Sequence, residues 1–199
     1  MNNNELCYKL NIPFLQDMVK DDWKHNLNWE TRREIPKVIT PEDAIKEEYL
    51  NFNNINWDTI VSFPLDPGSD PQIHSDNYSN TIDDTLENPD IILFGINFVV
   101  FGSCRMDYYL PSQLSKDYVV ANDPNYPQRN WTTTQEPYKS YEMEPGAYLI
   151  NITVPHKATA YTDRLLFSLR PRLTPHKYFE YWQSKSWNDI VKLFENHIV

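Results

Sequence analysis

EPGAYLINITVPH at residues 144–156, followed after seven residues by RLLFSLR at 164–170, is the stretch whose reading decides the fold. Glu144-Pro145-Gly146 has turn chemistry: proline presets its own φ, and glycine tolerates backbone angles that other residues avoid. From Ala147 to Val154 the chain is rich in residues that suit a pleated surface, which predicts a strand ending at His156. Arg164 then opens the next strand. Working outward, PLDPGSDP (64–71), QIHSD (72–76), IILFGINFVVFG (91–102) and CRMDYYLP (104–111) are further short β-rich runs and turns. The segment 77–90 is polar and acidic, and 115–140 is rich in Pro and Asn; both read as exposed loops. Short strands spaced by about 8–15 residues of turn chemistry predict a mainly β sandwich or barrel.

The flanks read differently. Residues 1–60 have a mixed helix and loop texture. Thr40-Pro41-Glu42-Asp43 places a capping Thr before a Pro at the first helical position, with Asp43 where a capping box usually has Glu, so a helix is predicted from Pro41 to Tyr49. The alternation in NFNNINW (51–57) fits a strand or a turn. At the other end Tyr178–Trp182 and Trp187–His197 are predicted helical. Trp187, Ile190, Val191, Phe194 and Ile198 recur at the spacing that lines one helix face. The expected organisation is one domain, 1–199, with N-terminal support (1–60), a β core (61–172) and a C-terminal helical segment (173–199).

Composition bounds the function. The chain has 199 residues, 40% hydrophobic, and carries a formal charge of −10. Residues 1–90 hold 18 acidic against 7 basic side chains, and residues 91–199 hold 10 against 11. Neither half offers the basic face that nucleic acid needs, so no nucleic-acid partner is expected. The two cysteines, Cys7 and Cys104, make neither a disulfide framework nor a zinc spacing, and Cys104 on a strand reads as a small buried hydrophobe. The N-terminus lacks a basic stretch followed by an apolar run, and Ile91–Phe101 is too short to span a bilayer. No membrane partner is therefore expected, and the expected location is cytoplasmic.

Candidate chemistry rests on few residues. His74 sits in His74-Ser75-Asp76, where the period of two puts His74 and Asp76 on one strand face. An imidazole and a carboxylate on one face, joined by a second imidazole, make a three-ligand set for iron that leaves open positions. His156 is the obvious second imidazole, and its position before Arg164 adds context that an HxD triplet alone lacks. His25, His176 and His197 have no ligand spacing. Asn97 interrupts an apolar strand and needs a polar partner.

Taken together, residues 71–170 resemble the Fe(II)/2-oxoglutarate-dependent oxygenases, which are built on a double-stranded β-helix, or jelly roll. The run PHKATAYTDRLLFSLR is similar to the closing hairpin of aspartyl/asparaginyl hydroxylase-like members, several of which lack the Asp that stands here as Asp76. It also resembles small oxygenases of phage and marine microbes. The resemblance implies His74, Asp76 and His156 as iron ligands, with 2-oxoglutarate and O2 as cosubstrates. It implies Arg164 as anchor of the far carboxylate of 2-oxoglutarate, with Arg170 as the alternative. Many members place Ser two residues beyond that Arg. Leu166 stands there, Ser168 lies two further on, and the hydroxyl would then come from Tyr108 or Tyr109. Asn97 would contact the cosubstrate or only a backbone group. The products implied are succinate, CO2 and an oxidised small molecule or peptide side chain. Asp76 favours hydroxylation over halogenation, with desaturation or ring closure open. Two other readings stand beside this one: a non-catalytic jelly-roll binding or structural protein, and a cupin-type metalloenzyme that uses no cosubstrate.

Overall fold

Between Phe94 and Phe101 the chain is apolar at nearly every position. A strand with one wet face alternates, so such a run must be covered on both sides. The computed structural model describes residues 5–35, 37–69, 71–76, 94–115, 119–121, 128–171 and 185–199, and it supplies both covers. Two antiparallel sheets lie there. The first holds β1 (Cys7–Leu10), β2 (Val38–Ile39), β3 (Trp57–Leu65), β5 (Phe94–Phe101), β10 (Gly146–Asn151) and β12 (Arg164–Pro171), in the order β1-β10-β5-β12-β3-β2. The second holds β4 (Ile73–Asp76), β6 (Cys104–Tyr108), β7 (Val119–Ala121), β8 (Gln128–Trp131), β9 (Lys139–Met143) and β11 (His156–Ala160), in the order β7-β8-β4-β11-β6-β9. Within these orders β10, β5, β12 and β3 run in parallel with β9, β6, β11 and β4. Each of these four strands of the first sheet thus has its chain neighbour at the corresponding place in the second.

The outer face of the first sheet is covered by the N-terminal segment, which includes α1 (Leu15–Met18) and α2 (Pro41–Ala44). Trp23 meets Phe167 edge-on with ring centroids 5.5 Å apart, and Phe14 meets Phe98 at 6.3 Å. Leu15, Met18, Val19 and Ile45 are fully buried beneath this layer. Each such side chain stabilises the fold by about 1.5–3 kcal/mol relative to exposure. At the C-terminal end α3 (Trp187–Leu193) starts in a capping box: Ser186 Oγ accepts from Asp189 N, and the Asp189 carboxylate accepts from Ser186 N. Beyond α3, Phe194 packs edge-on against Phe94. Among the described residues no helix is long and apolar enough to cross a membrane.

With its outer face apolar, β12 turns a different set inward. Leu165, Phe167 and Leu169 face the N-terminal layer, and Arg164, Leu166, Ser168 and Arg170 face the second sheet. Leu166, Arg164 and Arg170 accordingly line the space between the sheets. The turn Tyr161-Thr162-Asp163 before β12 packs against the turn after β5. There Gly102 has φ +73°, and a Cβ on it would overlap the Asp163 carbonyl oxygen, so glycine is required for closure at this end.

Several sequence expectations are corrected. The N-terminal region contributes strands as well as helices: β1 pairs with β10 and β2 with β3, satisfying both edges of the first sheet. The helix expected over Pro41–Tyr49 breaks after Ala44, because Ile45 turns extended (φ −96°, ψ 143°) and bridges to Val19. Thr40 does not cap it through its side chain. NFNNINW is a short helical turn, Phe52–Asn54, followed by the start of β3, so the β core begins at Trp57 rather than 61. The Pro/Asn-rich stretch 115–140 carries β7 and β8, which extend the second sheet beside β4. His156 opens a strand rather than ending one: β10 stops at Asn151, and the chain changes sheets before β11. The expected loop 77–90 and helix 178–182 lie outside the described residues.

Candidate functional site

A cavity of about 110 Å³ lies between the sheets, walled by Phe63, Leu65, Met106, Ile150 and Leu166. His74, His156, Asn97, Arg164 and Arg170 also line it. Five of the residues singled out from sequence therefore line one cavity.

The two histidines are brought together by strand pairing. β11 pairs with β4 with His156 directly opposite His74, which puts both side chains on the same face of the second sheet. Their ring centroids are 4.5 Å apart at an interplanar angle of 55°. His74 Nδ1 lies 2.9 Å from the Gln72 carbonyl oxygen, and His156 Nδ1 lies 2.9 Å from that of Val154. A carbonyl only accepts, so each Nδ1 donates and Nε2 is the acceptor nitrogen of the neutral ring. Imidazoles that bind metals are held in this way, with the second nitrogen fixed by a carbonyl or carboxylate. Two imidazoles on one ion at right angles, with metal–nitrogen bonds of about 2.1 Å, would have centroids about 4.6 Å apart. The observed pair fits that spacing. Asp76 is on β4 two residues beyond His74, and its side chain lies outside the described set. Among the described residues no group of three or more His, Cys, Asp or Glu side chains gathers.

Arg164 lies at the opposite end. β11 leaves from His156, the turn at 161–163 reverses the chain, and β12 starts at Arg164 and runs back, so Arg170 lies toward the histidines. Six residues of strand separate the two arginines by about 20 Å at Cα. Arg164 is 4% exposed and Arg170 1%. Arg164 Nη1 donates to Cys104 Sγ at 3.3 Å and Nη2 to the Phe63 carbonyl at 3.4 Å, while Nε has no hydrogen-bond partner among the described residues. No described carboxylate pairs with this guanidinium, which stays charged at any ordinary pH. A buried charge held only by neutral acceptors is costly, and an anion entering the cavity would offset that cost.

Asn97 finds its partner on the neighbouring strand. Ser168 Oγ donates to Asn97 Oδ1 at 2.6 Å, the two residues being opposite each other in the β12–β5 register. Gly95, two residues before Asn97, makes room for Arg170: a Cβ there would meet Arg170 Cδ at 2.9 Å and Ser168 Oγ at 3.0 Å.

Neither Tyr108 nor Tyr109 lines the cavity. Tyr108 is fully buried with its hydroxyl donating to the Leu6 carbonyl at 3.3 Å, and its ring lies 5.8 Å from that of His156. It backs a candidate ligand rather than offering a hydroxyl to one. Sequence reasoning missed Gly95 and Cys104. A glycine inside a strand is a signal of close approach that pointed to the first; nothing in the sequence distinguishes Cys104 from a buried filler.

No family model and no curated protein matches the chain. Among solved structures it is similar to the X-ray structure of E. coli ycfD, at 16% sequence identity and a TM-score of 0.39. The likeness covers 79% of this chain and 33% of that one, so the chain spans about a third of that protein's length.

Proposed function

We propose that this chain is an Fe(II)- and 2-oxoglutarate-dependent oxygenase on a double-stranded β-helix (jelly roll), hydroxylating a small molecule or a peptide side chain. The observation that carries the reading is the convergence of His74, His156 and Arg164, from three different strands, on one cavity. The jelly-roll reading draws on the matched strand orders: the chain crosses between sheets from β3 to β4, β5 to β6, β9 to β10, β10 to β11 and β11 to β12, winding around the cavity.

In this reading His74 and His156 would hold the iron through Nε2, and Asp76 would supply a carboxylate. The iron would supply activation of O2, with 2-oxoglutarate as the reductant that yields succinate and CO2. Arg164 receives the far carboxylate through the planar fork of its guanidinium, a geometry that lysine lacks. Arg170 adds positive potential at the histidine end. Phe63, Leu65, Met106, Ile150 and Leu166 give the space between an apolar lining. Two buried free thiols, Cys7 and Cys104, suit a reducing, cytoplasmic setting.

Anaerobic titration of the Fe(II)-loaded protein with 2-oxoglutarate tests this, read by the weak visible charge-transfer band of the chelate. The band is expected in the wild type, absent in His74→Ala and weakened in Arg164→Ala. Iron binding with no band would favour a metalloenzyme without cosubstrate, and no iron binding would favour a binding or structural jelly roll.

A further inference from the structure

Two acceptors of different kinds hold Arg164, and one is a thiol. Cys104 opens β6, is fully buried, and shares a strand face with Met106, which lines the cavity. Its Sγ accepts from Arg164 Nη1, and the Phe63 carbonyl accepts from Nη2. A guanidinium is planar, so two contacts on its Nη atoms settle its plane and hence the directions of its remaining N–H bonds. The Phe63 contact comes from the backbone and does not depend on a side chain. Cys104 is therefore the side chain that decides how the fork faces the cavity. Sulfur is a weak, long-range acceptor, so it orients the guanidinium without neutralising it, as a carboxylate would. The Nε of Arg164, on a residue 4% exposed, has no hydrogen-bond partner among the described residues, and this is the second sign that the group awaits a ligand.

We propose that Cys104 is a positioning residue for the carboxylate that Arg164 receives, aiming the guanidinium into the cavity while leaving its charge for the ligand. This inference rests on the function proposed above.

Calorimetry on wild type, Cys104→Ala and Cys104→Ser tests it with two probes. Glutarate on metal-free protein reads the arginine end alone, because it carries both carboxylates and no keto group. 2-Oxoglutarate on Fe(II)-loaded protein without O2 reads the whole site. Cys104→Ala is expected to raise both dissociation constants about tenfold, the effect of one oriented hydrogen bond to a charged group. Cys104→Ser restores an acceptor and is expected to bring both back to within about threefold of wild type. Iron affinity should be unchanged in either variant, whereas general loosening of the fold would lower it too. A wild type that binds 2-oxoglutarate beside a Cys104→Ala variant that binds it as tightly overturns the positioning role and leaves the proposed function standing. A wild type that binds neither ligand overturns both. Should Cys104→Ala fail to fold, Cys104→Val, which fills the volume without accepting a hydrogen bond, is judged by the same criteria.

Discussion

Replacing Arg164 by methionine should leave the ligand-free protein about as stable as wild type, although the side chain is only 4% exposed. The variant loses two hydrogen bonds from a charged group, to Cys104 and to Phe63, together about 3–6 kcal/mol. It also removes a buried charge that no described carboxylate pairs with, and so relieves a desolvation penalty that is on the order of several kcal/mol per ion. The terms largely cancel, leaving a change within about 2 kcal/mol, at about 2–4 °C of Tm per kcal/mol in a chain of this size. Phe167→Ala serves as the internal comparison. Phe167 is fully buried against Trp23, and its truncation should cost about 3–5 kcal/mol. Ligand separates the two further. At a hundred times its Kd, 2-oxoglutarate should stabilise wild type and Phe167→Ala by about 2.7 kcal/mol and leave Arg164→Met unmoved. Anaerobic thermal denaturation with and without ligand measures all of this. An Arg164→Met variant that melts as low as Phe167→Ala yet still responds to 2-oxoglutarate would refute the reasoning, because Arg164 would then be a structural residue.

Other expectations follow from single contacts. Gly95→Ala should push Arg170 and Ser168 aside, costing roughly 1–3 kcal/mol and weakening 2-oxoglutarate binding; chemical denaturation and calorimetry would show both, and an unchanged variant would mean that the close approach is unimportant. Tyr108→Phe should leave the affinity for 2-oxoglutarate within about threefold and stability within about 1 kcal/mol, since the hydroxyl's bond to Leu6 is long and Tyr108 does not line the cavity. Glu5 gives a pH dependence. The Tyr141 hydroxyl, with the Lys139 ammonium beside it, holds its carboxyl below the usual carboxylate range. The folded state then binds its proton less readily than the unfolded chain, so this contribution is complete above the unfolded value of about 4.3 and is lost as pH falls through the lowered folded value. The Tm difference between wild type and Glu5→Gln should accordingly shrink toward zero as the buffer is acidified.

The signals that pointed to the candidate site are local. An HxD triplet on a short strand, a histidine after a Pro-Gly turn and strand, and an arginine opening the next strand are each readable within about ten residues. The polar Asn97 inside an apolar run announced a partner, and Ser168 is that partner. What failed did so where the answer lay across the fold. Tyr108 looked like a hydroxyl donor on a strand beside the site, but the period of two says only which face a residue takes. Tyr108 shares the face of Met106, which lines the cavity, but its hydroxyl reaches the Leu6 carbonyl instead, and how far along a face the cavity extends is decided by what packs there. The Pro41–Tyr49 helix broke because Ile45 bridges to Val19, a contact that local propensity does not contain.

By itself the sequence determined the alternation of short strands and turns, the covered character of β5, and which side chains carry donors, acceptors and charge, since these follow from neighbours along the chain. Only the tertiary structure decided that His156 faces His74 at 4.5 Å, that Arg164 is buried beside Cys104, and that Gly95 gives Arg170 its room. Those facts depend on how two sheets pair and stack, and register and stacking are set by long-range packing that no window of sequence contains.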